Sequence, residues 1–364
     1  MSDTQTPTTT RESDLDLLEE LDDLGAPPIP PAPPVVDDPR RRRRRKIIAW
    51  VLVVVLVLFA GIAAWYLINR KPLSELPGLE SGKVPTYKTS FYGVEKPLGV
   101  AVSLDGSRLY ATQSGTKAAA FVLDREGKKL GELKPPTGKP GTYHVPVYLA
   151  VHPTTGDVYV GDRGAGAVYV YDAAGAYRST FTPKGKVGTF SPLGLAVDKD
   201  GILYVADAAS PDPAGHRILV FAKDGTLVKT LGKGQLNYPN AIVPGSKGEI
   251  YVADSNNGRV IVIESSGTLT TLLARGIGDG DLGLPRGMSV DDKGRLFVVD
   301  TTDQMVRVFT AASSPTAPPA YVGSFGNQGR EDGTFLFPNG LATDTRGRIY
   351  VADRENNRIQ VWGY

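Results

Sequence analysis

Three chemistries are open to the side chains of this chain, and residue spacing separates them. Imidazole chemistry has only His144, His152 and His216 to draw on, and none stands at the His-x-x-x-His spacing that holds zinc. No Gly-x-Ser-x-Gly elbow and no phosphate-cradling glycine loop occurs. Cysteine is absent, which excludes disulfides, thiol nucleophiles and Cys-ligated zinc or haem. Carboxylate chemistry has a better claim, because Asp162, Asp207, Asp254, Asp300 and Asp353 recur at equivalent places. A ring of carboxylates can hold a cation. A residue repeated in every unit more simply serves every unit, here by accepting bonds from loop N–H groups or from Arg217, Arg259 and Arg358. The third chemistry is recognition. Asn240, Arg286 and Asn339 each follow a repeated proline, and Tyr148, Arg163 and Arg354 are expected as their neighbours. These six are the candidate binding residues. No catalytic or metal-ligating set is assigned, and no cofactor is called for.

The elements that position them come from internal repetition. One phrase recurs six times: Pro-x-Gly-apolar, a polar turn, an aromatic-Val-x-Asp run, then an Arg-apolar-x-Val run. The opening prolines are Pro97, Pro146, Pro192, Pro239, Pro285 and Pro338, spaced by 49, 45, 47, 46 and 53 residues. Such a period, filled with short strands, predicts four-stranded propeller blades. In the fourth copy the strands read as 240–244, 249–253, 259–264 and 268–273, called a to d from the channel outward. Asp-Gly and similar pairs at 105–106, 200–201, 293–294 and 346–347 supply the tight turns, where glycine permits positive φ. The sixth copy stops after its third strand. The orphan segment 87–93 resembles the fifth copy's outer strand 321–326, so it is expected to complete the last blade and close the ring. The fold class is therefore an all-β six-bladed propeller over 85–364.

The sixth copy, PNGLATDTRGRIYVADRENNRIQVW from Pro338 to Trp362, resembles the NHL-repeat family almost throughout, as do 239–263 and 192–221. The first copy departs most, and the fifth has Met305 where arginine is usual. The resemblance covers about three quarters of the chain and implies the propeller fold. It leaves function open: relatives include binding modules, sensor domains of bacterial receptor kinases, RNA-binding propellers and a peptide-amidating lyase.

The part before the propeller is of another kind. Residues 47–68 read IIAWVLVVVLVLFAGIAAWYLI without a charge, about 33 Å as a helix and long enough to cross a membrane. Trp50 lies near one end, and Trp65 and Tyr66 near the other, as interfacial anchors do. The basic run from Arg40 to Lys46 precedes it, and only Arg70 and Lys71 follow closely. The positive-inside rule then keeps the N-terminus cytoplasmic and sends the propeller across, with the basic run against anionic lipid. The expected domains are a disordered cytoplasmic tail 1–46, a transmembrane helix 47–68, a stalk 69–84 and the propeller. Within the tail, the segment from Ser13 to Leu24 places leucines on one helical face and is a candidate dock for a cytoplasmic partner.

Net charge is +2, which gives no global pull on nucleic acid. Connections a–b and most c–d are minimal turns on one rim. Connections d–a and b–c, including 134–145, 184–191, 274–284, 327–337 and the insertion 208–216, are long and varied on the other. Long varied loops on one rim serve binding. The expectation is a membrane-anchored extracytoplasmic recognition or scaffold module that binds a protein, peptide or glycan through the d–a/b–c face. The alternative is a metal-dependent lyase or lactonase-type hydrolase at the channel.

Overall fold

The computed structural model describes residues 39–69, 84–137, 141–209 and 211–364. The tail readings at 1–38, including 13–24, and nearly all of the stalk lie outside these residues. Helix α1 runs Pro39–Asn69 and contains the whole uncharged segment. Its apolar side chains from Ile47 to Phe59 are exposed. Among the described residues no helix is long and apolar enough to cross a membrane.

Among the described residues from 84 onward there are 24 strands in six four-stranded antiparallel sheets. In the fourth blade the strands are β14 (Pro239–Pro244), β15 (Ile250–Asp254), β16 (Arg259–Ile263) and β17 (Leu269–Leu273). The sequence-derived bounds differ by one residue at most of these ends. Alternation is blurred because strands b and c are buried on both faces, each packing between two neighbouring blades. Among the described residues the buried ones accordingly form six apolar clusters, five joining two successive blades and one joining the second, third and fourth. The cluster of Phe91, Val100, Leu109, Tyr350 and Ile359 joins the last blade to the first.

Closure follows the expectation. β1 (Thr86–Tyr92) pairs antiparallel with β24 (Arg358–Gly363), giving the order β1-β24-β23-β22, where β22 is Pro338–Thr343 and β23 is Arg348–Asp353. Phe91 is buried, and the Tyr87 ring meets Trp362 edge-on at 5.8 Å. Ser90 and Tyr92 hydroxyls donate to Asp332 at 2.7 and 3.1 Å, tying β1 to the loop that enters the last blade.

One loop breaks the two-rim pattern. The c–d connection of the fifth blade, 310–320, is long although it leaves the minimal-turn rim. The tight turns themselves hold to expectation, with Gly106, Gly201, Gly294 and Gly347 all at positive φ.

Deleting residues 86–92 strips the last blade of its outer strand and of one buried phenylalanine. The expected loss is at least about 3 kcal/mol, the cost of removing a core aromatic alone. Chemical denaturation of the full chain and the deletion variant checks it; equal midpoints would show that β1 does not close the ring.

Candidate functional site

Each blade's inner strand begins at its repeat proline, which lies opposite the strand-b carboxylate in the ladder: Pro146 faces Asp162, Pro192 faces Asp207, Pro239 faces Asp254, Pro285 faces Asp300 and Pro338 faces Asp353. Proline has no N–H to give. The carboxylate instead takes the N–H of the residue one or two places earlier. Asp162 accepts from Val145 at 2.8 Å, Asp207 from Ser191 at 2.9 Å, Asp254 from Asn237 at 2.7 Å, and Asp353 from Leu336 at 2.7 Å. Asp300 accepts from Leu284 at 3.0 Å. In the first blade Gln113 replaces aspartate and accepts from Glu95 at 3.1 Å.

The second carboxylate oxygen takes a cation. Arg217, Arg259 and Arg358 supply it at 2.8, 2.7 and 2.7 Å, as the sequence suggested. Two blades lack that arginine and find another group. Arg307, two residues beyond Met305, stands 3.5 Å from Asp300, and His144 Nδ1 lies 2.7 Å from Asp162. These carboxylates are therefore structural braces for the d–a loops. Among the described residues no group of three or more His, Asp or Glu is arranged to hold a metal ion.

The braced loops deliver the residues after the prolines to one end of the channel. A cavity of about 330 Å³ is lined there by Tyr148, Arg163, Asn240, Arg286, Asn339 and Arg354, so all six sequence-derived candidates meet in one place. Leu98, Val147 and Leu193, the remaining residues after repeat prolines, line it too. A second cavity of about 280 Å³ continues along the channel and has no charged lining residue. Tyr148 and Asn240 line both, at the boundary between them.

Inner strands come close at the axis, which explains the repeated glycine. A Cβ on Gly194 would lie 2.0 Å from the Asn240 carbonyl, and one on Gly340 2.4 Å from the Leu98 carbonyl. Tyr148 occupies this position in the second blade. Its hydroxyl donates to Oδ1 of Asn339 in the sixth blade. Burial pushes the Tyr148 phenol up to about 12, against the opposing pull of Arg286, so it stays a donor at neutral pH. Asn240 donates to the Tyr238 carbonyl at 3.1 Å and to Ser255. Ser255 in turn donates to the Pro285 carbonyl, beside Arg286. Both asparagines are buried, and hydrogen bonds fix their amides before any ligand arrives.

The arginines are held less completely. Arg163 Nε donates to Ser191 Oγ at 3.2 Å. Arg354 is paired with Glu355, which also meets Lys96 at 3.5 Å. Arg286 Nε is buried and makes no hydrogen bond. Among the described residues that line the cavity, none carries a carboxylate or an imidazole. Three guanidinium groups thus share a concave space whose walls strengthen their field.

Sequence reasoning missed how the rim is held. Lys96, Tyr238 and Phe337, each directly before a repeat proline, have φ of +43°, +51° and +51°. That region is unfavourable for residues with a Cβ. A side chain from the preceding blade clamps each N–H: Asn357 takes that of Lys96, His216 that of Tyr238 and Gln304 that of Phe337, at 2.9, 3.1 and 3.1 Å. Where the clamp position is glycine, as at Gly166 and Gly258, the next loop has no such strained residue. The residue immediately before strand c carries this signal. The result at the cavity is a half-exposed Phe337 ring on its edge.

Replacing Tyr148 by phenylalanine leaves the buried Asn339 Oδ1 without its donor. The expected cost is about 1–3 kcal/mol, read as a lower melting temperature. An unchanged melt would mean that the bond across the channel does not hold the two blades.

Two segments, 236–263 and 335–362, match the family described as NHL repeat. The protein lin-41 of Caenorhabditis elegans is 49% identical over 39 residues, a stretch that spans 11% of this chain and 3% of that protein. A solved streptogramin B lyase is similar over 78% of this chain and 99% of its own, at 17% identity and a TM-score of 0.53. A virginiamycin B lyase from Staphylococcus aureus matches over 77% of this chain and all of its own, at 16% identity and a TM-score of 0.51. A protein of unknown function from Bacteroides thetaiotaomicron matches over 78% of this chain and 72% of its own, at 18% identity and a TM-score of 0.56. Such identities show the fold alone. The chain folds as a six-bladed β-propeller and carries two segments that match the NHL repeat.

Proposed function

We propose that this chain is a membrane-anchored recognition module whose propeller reads a protein, peptide or glycan outside the cytoplasm through its d–a/b–c face. The convergence of Tyr148, Arg163, Asn240, Arg286, Asn339 and Arg354 on one cavity at that face carries the reading. Propellers of this fold serve as protein-binding or scaffold modules. Exposed Tyr143 and Ile277 stand on the elaborated loops of the same rim, where apolar contact area is available to a partner. Anchoring rests on the uncharged segment 47–68, its helical backbone within α1, and the basic run from Arg40 to Lys46 before it. The same run offers contact to anionic lipid, and the leucine face from Ser13 to Leu24 offers a dock on the cytoplasmic side. The cavity's donors suit an anion or a carbonyl better than a divalent cation, which needs oxygen or imidazole ligands. The lyase likenesses therefore add fold and no reaction.

One experiment addresses both parts. The full chain is produced in cells and exposed to external protease, and captured partners are compared before and after. Cleavage that removes the propeller, spares the tail and abolishes capture is the expected result. Tyr143→Ser combined with Ile277→Ser should lower capture several-fold, as loss of rim contacts does, whereas Lys199→Gln in a short a–b turn should not. A protected propeller overturns the topology, and capture lost only with the a–b change overturns the choice of face.

A further inference from the structure

The cavity specifies its occupant more narrowly than the loop face does. We infer that the channel mouth is a carboxylate-binding site, and that the ligand which the recognition reading requires presents an acidic side chain or a free C-terminus there. This rests on that reading for the face and adds the chemistry. Three observations carry it. Arg163, Arg286 and Arg354 line one cavity that contains no carboxylate of its own. Arg286 keeps a buried Nε with no acceptor in the protein, so that N–H is available to a ligand in the cavity. Glu355, the carboxylate next to Arg354, is already shared between Arg354 and Lys96.

Guanidinium groups present paired N–H donors whose fork matches the two oxygens of a carboxylate. Asn339, whose Oδ1 is held by the Tyr148 hydroxyl, adds an oriented amide nitrogen beside it. The half-exposed Phe337 ring at the edge gives the aliphatic part of an incoming side chain a surface to cover. Nucleic acid fits less well. A phosphate backbone is tracked by cations spaced along a groove, with aromatic rings stacked under successive bases. Here the charge is gathered in one concave space of about 330 Å³, and of its two aromatic lining residues Tyr148 is buried and hydrogen-bonded across the channel, which leaves Phe337 alone to stack.

Fluorescence anisotropy on the full chain in detergent micelles tests this with labelled peptides: GSGGEE with a free C-terminus, GSGGQQ amidated, and the two intermediate forms. The acidic peptide is expected to saturate below roughly 1 mM, and the neutral one to bind about tenfold or more weakly, as the loss of a charge-assisted bond predicts. The intermediate forms separate side-chain from terminal carboxylate. Arg286→Gln should weaken the acidic peptide by about tenfold and leave the neutral one unchanged, with an unaltered melt. Absence of saturable binding, equal affinity for both peptides, or tighter binding of a hexauridylate overturns the inference. If both peptides bind equally and Phe337→Ala weakens both, the loop-face reading stands and the carboxylate falls. If no channel-mouth change affects any probe, both fall.

Discussion

A backbone N–H that ends on a carboxylate, one or two residues before each repeat proline, is the constraint on which the rest of this propeller depends. The proline opens the inner strand and cannot donate into the ladder. The residue facing it, at the end of strand b, therefore has a free hand to reach back to the loop. Asp162, Asp207, Asp254, Asp300 and Asp353 all do so, and Gln113 does the same without a charge. Each of these aspartates is buried, and an ionised carboxylate is stable there only with N–H donors and a cation around it. Breaking such a pair typically costs about 3–5 kcal/mol, a large share of a domain's stability. The loop's landing point is thus fixed by a strong local interaction, and the residue after the proline inherits its position at the channel mouth.

The cation shows what the repeat preserves. Arg217, Arg259 and Arg358 come from the start of strand c, Arg307 from two residues further along, and His144 from the d–a loop itself. A nitrogen partner at the carboxylate is kept while its source moves. The channel-facing residues are freed from this structural duty, and there the blades differ most: leucine, valine, leucine, asparagine, arginine and asparagine follow the six prolines. Uniform bracing outside and variation inside is the physical basis for placing recognition at the axis.

Much of this was legible in the sequence because it is repeated. Strands a to d of the fourth blade fell close to their observed bounds, and the likeness of 87–93 to 321–326 located the strand that closes the ring. The six candidates at the channel mouth followed from position in the repeat, since a ring places equivalent residues together. What escaped was whatever one blade does for another. The Tyr148 to Asn339 bond joins residues 191 apart, and no periodicity announces it. Tyr148 does stand where four blades have glycine, and that departure was the available signal. The clamps from Asn357, His216 and Gln304 onto left-handed residues of the next loop were hidden likewise, because backbone strain at Lys96, Tyr238 and Phe337 leaves no mark of composition. The long 310–320 loop was overlooked because turn rules describe minimal hairpins, and nothing in them forbids an insertion.

The central claim is that a buried carboxylate positions the loop entering each of five blades and, through it, the residues at the channel mouth. Amide hydrogen exchange of Asp254→Ala against the parent chain tests it most directly, because Asp254 Oδ1 accepts the Asn237 amide at 2.7 Å. The account predicts that Asn237 and its loop neighbours exchange at least about tenfold faster, the loss of one charge-assisted bond, while the β14–β15 ladder keeps its protection. Unchanged exchange at Asn237 would contradict it, since the loop would then be held by something other than the carboxylate.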